Sequence, residues 1–304
     1  MELVETLHSK EDASINFIWK GDFPGLLEAR YVRRTPDYLV CYLSAQTACA
    51  QGCRFCHLTA TGQVVYKDAR IHDIYDQASH VLAYYKANEP PAKIVHFSFM
   101  ARGEPLSSQV FLDHNQEILG QLGRIAHKFG LLPRFMVSTI MPESLEGADL
   151  RYTFPVIHPT IYYSIYSMDK EFRKKWLPRA MDPDLALDKL KAYQDFTGKI
   201  IKLHWCFIKG ENDSEEAVWD IIDAVKARKL RVNVNIVRYN PFGPHLGEEP
   251  SESIVRSKAN LIEYLLPEAK VKVVSRVGYD VAGSCGAFLD NGVPTTAGKP
   301  LGGH

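Results

Sequence analysis

Three thiols stand within eight residues in the stretch CAQGCRFC (49–56): Cys49, Cys53 and Cys56. At Cys-x3-Cys-x2-Cys spacing on a loop, three thiolates can reach three irons of one cuboidal 4Fe-4S cluster, leaving the fourth iron open to a substrate or cofactor. Zinc is the alternative. It asks for four ligands in a tetrahedron, and although His57 follows Cys56, no second Cys-x2-Cys or His-x3-His pair completes such a site. The other cysteines, Cys41, Cys206 and Cys285, are too few and too scattered for a secreted disulfide framework. Clustered thiols in a reducing compartment bind metal or do chemistry.

The elements that position such a loop follow from pattern and length. Strand-like runs at 38–45, 93–100, 134–140, 160–166, 201–207 and 231–239 alternate with helical stretches such as 71–87, 182–198 and 214–229. Repeated strand–helix units predict an α/β fold, a partial (β/α)6 TIM-like barrel, with functional residues on loops at the carboxyl ends of the strands. Cys49 to Cys56 follow the first strand, ARGEP (101–105) follows the second, Ser138 and Thr139 end the third, and Asn240 follows the sixth. The expected organisation is a short N-terminal extension (1–36), a barrel core (37–290) and a flexible C-terminal tail (291–304) rich in Gly, Pro and Thr.

Composition removes other classes. The 304 residues are 46% hydrophobic and 24% charged, as in a globular chain with a substantial core. Thirty-six basic residues balance thirty-six acidic ones, so the chain lacks the overall basic field of a non-specific nucleic-acid binder. No secretory signal or run of eighteen apolar residues occurs, and a cytoplasmic protein with no membrane partner is expected.

The thiol loop, with Phe55 before Cys56, resembles the signature of the radical S-adenosylmethionine (SAM) enzymes. Further motifs resemble one subfamily, the RlmN and Cfr adenosine methyltransferases, over roughly residues 38 to 290. They are SAQTACAQGCRFC (44–56), FMARGEPL (99–106), VSTIM (137–141), SIYSMDKEFRKKWLP (164–178), GEND (210–213), VNIVRYNPF (234–242) and DVAGSCGAF (280–288). The resemblance implies a 4Fe-4S cluster and SAM as cofactors, with Cys49, Cys53 and Cys56 on the cluster. Glu104 would take the SAM amino group, helped by Ser138, Ser164 and Asn235. It further implies a methyl carried on Cys285 to an sp2 carbon of an adenine or related base, and a second thiol that resolves the adduct. The implied partners are a nucleic acid or nucleotide substrate, RNA in the first place, and a reductant such as flavodoxin or ferredoxin. The alternative is a radical SAM enzyme that abstracts hydrogen without methylating.

Against each role stands a plain structural one: Glu104 capping the next helix, Ser and Asn satisfying loop backbone, Cys285 a packed thiol. The chain also departs from the family. It reaches its cluster loop at residue 49, with no room for the family's N-terminal accessory domain. The family's resolving position is occupied by Tyr42, and Cys41 is one residue earlier. A shift of one reverses the face of a strand, so Cys41 serves only if a bulge restores its direction. Cys206, in the apolar run LHWCF, is assigned to packing, and the basic segments 28–34, 170–176 and 226–231 are candidate phosphate contacts.

Overall fold

A computed structural model describes residues 1–290 apart from Asp22 and the side chain of Pro244. The tail expected at 291–304 lies outside the described residues. One ten-stranded sheet runs in sequence order: β1 Glu2–His8, β2 Ile15–Lys20, β3 Leu27–Thr35, β4 Tyr38–Tyr42, β5 Ile94–Phe99, β6 Leu132–Thr139, β7 Thr160–Ser164, β8 Ile201–Cys206, β9 Val232–Val237 and β10 Val271–Val273. Strands β1 to β4 pair antiparallel, and β4 to β10 pair parallel. Among the described residues β1 and β10 end the sheet without meeting, so the (β/α)6 barrel expected from the sequence is an open one. The N-terminal extension, to which the sequence reading assigned no element, is three strands that continue the sheet.

Eight helices complete the described fold: α1 His57–Ala60, α2 Ile71–Asn88, α3 Gln109–Lys128, α4 Leu150–Thr153, α5 Lys170–Trp176, α6 Pro183–Thr197, α7 Glu215–Ala227 and α8 Glu252–Leu265. Their starts carry side-chain caps that satisfy first-turn N–H groups: Ser108 accepts from Phe111 N, Ser214 from Ala217 N and Asp182 from Asp184 N. Their buried residues recur at helical spacing, as in Ile74, Ala78, Val81, Leu82 and Tyr85 of α2. Among the described residues no helix is long and apolar enough to cross a membrane.

Strand alternation divides the sheet into two chemically different faces. Leu39, Cys41, Val95, Phe97, Val137, Ile161, Leu203, Trp205, Val234 and Ile236 are buried in the main apolar core with the inward faces of the helices. The alternate residues, among them Tyr42, Ser98, Ser138, Ser164, His204 and Asn235, line a cavity of about 380 Å³ on the concave side. Burying the apolar face stabilises the barrel at about 25 cal/mol per Å². The polar face is left free for a ligand.

Candidate active site

The cluster loop hangs from the carboxyl end of β4. Gly52 adopts a left-handed φ of 69° between Cys49 and Cys53, and Cys56 N donates to Cys53 O at 3.0 Å, which folds the loop back on itself. Cys49, Cys53 and Cys56 are free thiols on one cavity of about 130 Å³. Burial pushes all three up, Cys49 to about 12, and the Cys49 and Cys56 thiols push Cys53 up further. Such a set stays protonated until a cationic centre compensates it, which is the chemistry of a thiolate-ligated metal. Among the described residues no three His, Cys, Asp or Glu side chains converge tightly enough to hold a single metal ion. The thiols share walls of a cavity, and their donor set fits a larger iron–sulfur group.

Glu104 lies on the same cavity. Gly103 before it has a φ of +91°, and a Cβ there would come within 2.5 Å of Gln46 Cβ, so only glycine lets the ARGEP turn approach the cluster loop this closely. The Glu104 carboxylate accepts from Leu106 N and from Ile140 N, each at 3.0 Å. The first bond caps the short 3-10 turn Pro105–Ser107, and the second ties it to the end of β6. Both the capping and the cavity-lining descriptions therefore hold. Burial lifts its carboxyl to about 7, although the bonds from Ile140, Thr139 and Leu106 hold it down. No cation pairs with it among the described residues. A buried carboxylate without a cation beside three thiols suits a ligand that brings an ammonium group.

Ser138 and Ser164 line both this cavity and the larger concave one, whereas Asn235 lines only the larger. Asn235 Nδ2 lies 3.4 Å from His204 Nε2. Burial, with Lys202 nearby, holds His204 down to about 4, so it is neutral near pH 7 and its ring can accept from the amide. Tyr162 meets the His204 ring edge-on at 4.9 Å, and burial pushes its phenol up to about 12.

Cys285 is placed on both cavities. It is accessible from them although walled in by protein, and that crowding, with the Cys56 thiol, pushes it up to about 11. Its segment is fastened at several points. His57 N donates to Gly286 O at 2.9 Å, linking it to the cluster loop. Asn240, from VNIVRYNPF, donates through Nδ2 to Cys285 O at 2.8 Å, accepts from Arg276 Nε at 2.7 Å, and takes the His57 ring on its own carbonyl at 3.2 Å. Arg30 donates to Gly283 O at 3.1 Å and Ala287 O at 3.0 Å. Beneath it Glu28, fully buried, accepts from Arg30 at 3.0 Å and from Arg102 Nε at 2.6 Å, and these two guanidiniums hold its carboxyl down against burial. Arg102 belongs to ARGEP and also donates to Leu289 O. The triad thus clamps β3, the Glu104 turn and the Cys285 segment together. From the sequence Arg30 was offered only within the candidate phosphate-contacting segment 28–34, and Glu28 and Arg102 had no role of their own. Two opposite charges spaced by two in the strand run LEARYV were the available signal, because they share a face.

The remaining two cysteines both lie outside the two cavities and take opposite parities on their strands. Cys41 is fully buried on the helix-covered face, paired in unbroken register with Tyr31 on one side and Phe97 on the other. The irregularity between β3 and β4 falls at Arg33 to Thr35, too far along to turn it, so Cys41 stands outside both cavities. Cys206 follows Lys202 and His204 on the concave face of β8, at the carboxyl end, and is buried in a small apolar cluster with Cys53 and Tyr166. Burial first and then the Cys285 thiol push its thiol up, and both thiols push the Tyr166 phenol up after burial itself. Asn212 of GEND holds this corner, donating to Tyr166 O at 2.8 Å and Cys206 O at 2.9 Å.

No family model matches the chain. A probable dual-specificity RNA methyltransferase RlmN of Lachnospira eligens is 25% identical over 293 residues, spanning 94% of this chain and 77% of that protein. Its namesake in Clostridium acetobutylicum is 24% identical over 308 residues, spanning 98% and 81%. Among solved structures, a radical SAM methyltransferase from Sphaerobacter thermophilus superposes with a TM-score of 0.78 at 18% identity, covering 94% of this chain and 80% of that one. The FeFe-hydrogenase maturase HydG from Carboxydothermus hydrogenoformans gives a TM-score of 0.56 at 13% identity, covering 79% and 54%. Sequence and fold point the same way: the chain is similar in sequence to proteins named as RlmN RNA methyltransferases and in fold to a radical SAM methyltransferase.

Proposed function

We propose that this chain is a radical SAM methyltransferase that places a methyl group on an sp2 carbon of an adenine or related nucleobase by way of a methylated Cys285. RNA is the substrate that its relatives are named for. Cys49, Cys53 and Cys56 would hold the 4Fe-4S cluster, and Glu104, Ser138, Ser164 and Asn235 would hold SAM. When bound, these groups supply an electron from a flavodoxin- or ferredoxin-type partner, a transferable methyl and a 5′-deoxyadenosyl radical. The position of Cys285 on both cavities is the observation that carries the reading. An amidine-type ring carbon is electrophilic and takes no methyl from a sulfonium, whereas a thiolate does; a thiol between the thiol cavity and the concave one is therefore the group to receive it. Glu104, with its carboxyl raised by burial, is set to accept an ammonium, and the Asn240 and Arg30 bonds hold the Cys285 segment at the seam.

Resolution of the methylene-bridged adduct falls to Cys206. Its thiolate attacks the Cys285 sulfur, the S–C bond breaks, the electron pair passes to the departing carbon and is protonated, and a disulfide remains for an external dithiol to reduce. The burial of Cys41 favours one second reading, direct hydrogen abstraction with no methylated cysteine. Anaerobic reconstitution with methyl-deuterated SAM, followed by peptide mass analysis, separates the two. Label on Cys285 supports the proposal, and 5′-deoxyadenosine formed with an unlabelled Cys285 supports the second reading.

A further inference from the structure

The concave cavity has a charge pattern that methyl transfer alone does not require. Among the described residues no Asp or Glu lines it, yet five Arg and Lys side chains do besides Arg30. Two of the five are already committed: Arg238 and Arg276 both bind Glu249. Arg34, Lys202 and Lys272 have no ion pair and no hydrogen bond among the described residues. His96 and His204 add no charge near pH 7, because burial, with Arg134 and Lys202 respectively, holds each down to about 4.

The three unpaired cations gather at one end. Lys202 and Lys272 are the second residues of parallel strands β8 and β10. Arg34 sits where β3 and β4 slip register between Arg33 and Thr35, a bulge that sets it beside Tyr38, the first residue of β4. This is the amino-terminal mouth of the barrel, opposite Cys285, and Lys202 is four residues or ~13 Å of strand from Cys206. Flat rings wall the space between: Tyr38 stacks on His96 at 4.4 Å, and Tyr162 lies against His204. Unpaired cations half-sunk in a cavity without acids favour an anion, and aromatic walls favour a planar ring.

We infer that the concave cavity takes a single phosphate-bearing nucleotide end-on, its phosphate on Arg34, Lys202 and Lys272 at the amino-terminal mouth and its base toward Cys285. This rests on the methyl-transfer reading only for the fate of the base. A polymer would be served by cations tracking a groove outside the cavity, and several arginines of the basic segments offered by the sequence are engaged elsewhere. Arg33 donates to the Pro36 and Pro90 carbonyls, Arg173 to those of Ile165 and Met181, and Arg228 pairs with Asp184 and Asp188.

The test is equilibrium binding of AMP, of adenosine and of an RNA oligonucleotide without terminal phosphate to the full reconstituted chain, and to its Lys202→Gln, Lys272→Gln and double variants. AMP is expected to bind at least about tenfold more tightly than adenosine, since charge-assisted bonds to phosphate exceed neutral ones, with the ratio falling to about one in the double variant while adenosine affinity shows that the fold persists. Equal affinity for AMP and adenosine overturns the inference, as does RNA binding that exceeds AMP binding and ignores both substitutions. Methyl label on Cys285 without any nucleotide present reports the transfer reading independently, so either can fail alone.

Discussion

At the scale of single residues, the proposal divides labour among the six cysteines. Cys56→Ala is expected to abolish both SAM cleavage and methyl transfer, whereas Cys285→Ala abolishes transfer and leaves 5′-deoxyadenosine formation detectable. Equal loss of cleavage in the two variants contradicts these roles. Between the other two thiols, Cys206→Ala is expected to trap a covalent protein–base adduct visible by intact mass. Cys41→Ala, which removes one core sulfur from a packed face, is expected to cost about 1 kcal/mol of stability and no chemistry. An adduct in the Cys41 variant and none in the Cys206 variant would reverse the assignment. That Cys49, Cys53 and Cys56 stand together was legible in their spacing, and the place of Glu104 beside them in a motif resemblance. The faces of Cys41 and Cys206 were not, because strand parity decides them: Leu39 and Cys41 share the buried face, and Lys202 and His204, with which Cys206 agrees in parity, line the concave one.

At the scale of elements, the six parallel strands were legible from short apolar runs bounded by loops, and their ends were less so. The fourth was expected to reach residue 166 but stops at Ser164, because Tyr166 takes a left-handed φ of 53° that no strand tolerates. The first stops at Tyr42, where backbone bonds from Leu43 N to Ser98 O and from Ala45 N to Arg102 O turn the chain into the cluster loop. Strands β2 and β3 pair antiparallel ahead of the strand–helix repeat, and β3 carries Glu28 and Arg30 of the buried ionic triad. That triad yields its own prediction. Glu28→Ala leaves Arg30 and Arg102 buried without their shared counter-ion, and a loss of roughly 3–5 kcal/mol in denaturant unfolding is expected. The freed Cys285 segment should be alkylated faster in native protein than in wild type. Unchanged stability together with unchanged alkylation contradicts the clamp.

At the scale of the whole molecule, an apolar sheet face buried under helices supports a polar concave face closed over by the Cys285 segment. That polar lining has a pH signature. His96 and His204 are each held at about 4 in the fold against about 6.5 when unfolded. The unfolded chain therefore binds more protons between those values, and stability is expected to fall as pH drops from about 6.5 to about 4 and to be flat for these groups above 6.5. Urea midpoints of wild type and His204→Gln across that range check this, and an equally steep acid loss in the variant would remove His204 from the explanation. The fold class could be anticipated from the repeated strand–helix pattern. The concave cation set could not, because Arg34, Lys202 and Lys272 stand 70 to 238 positions apart and meet only through the sheet.

The account depends most on Cys285 being the thiol that carries the methyl from one cavity to the other. Protein reconstituted anaerobically with iron and sulfide, given methyl-deuterated SAM and a reductant, and digested for mass analysis measures that directly. The expected result is a deuterated methyl group on Cys285 and on no other cysteine; an unmodified Cys285 in protein that still releases 5′-deoxyadenosine would contradict the account.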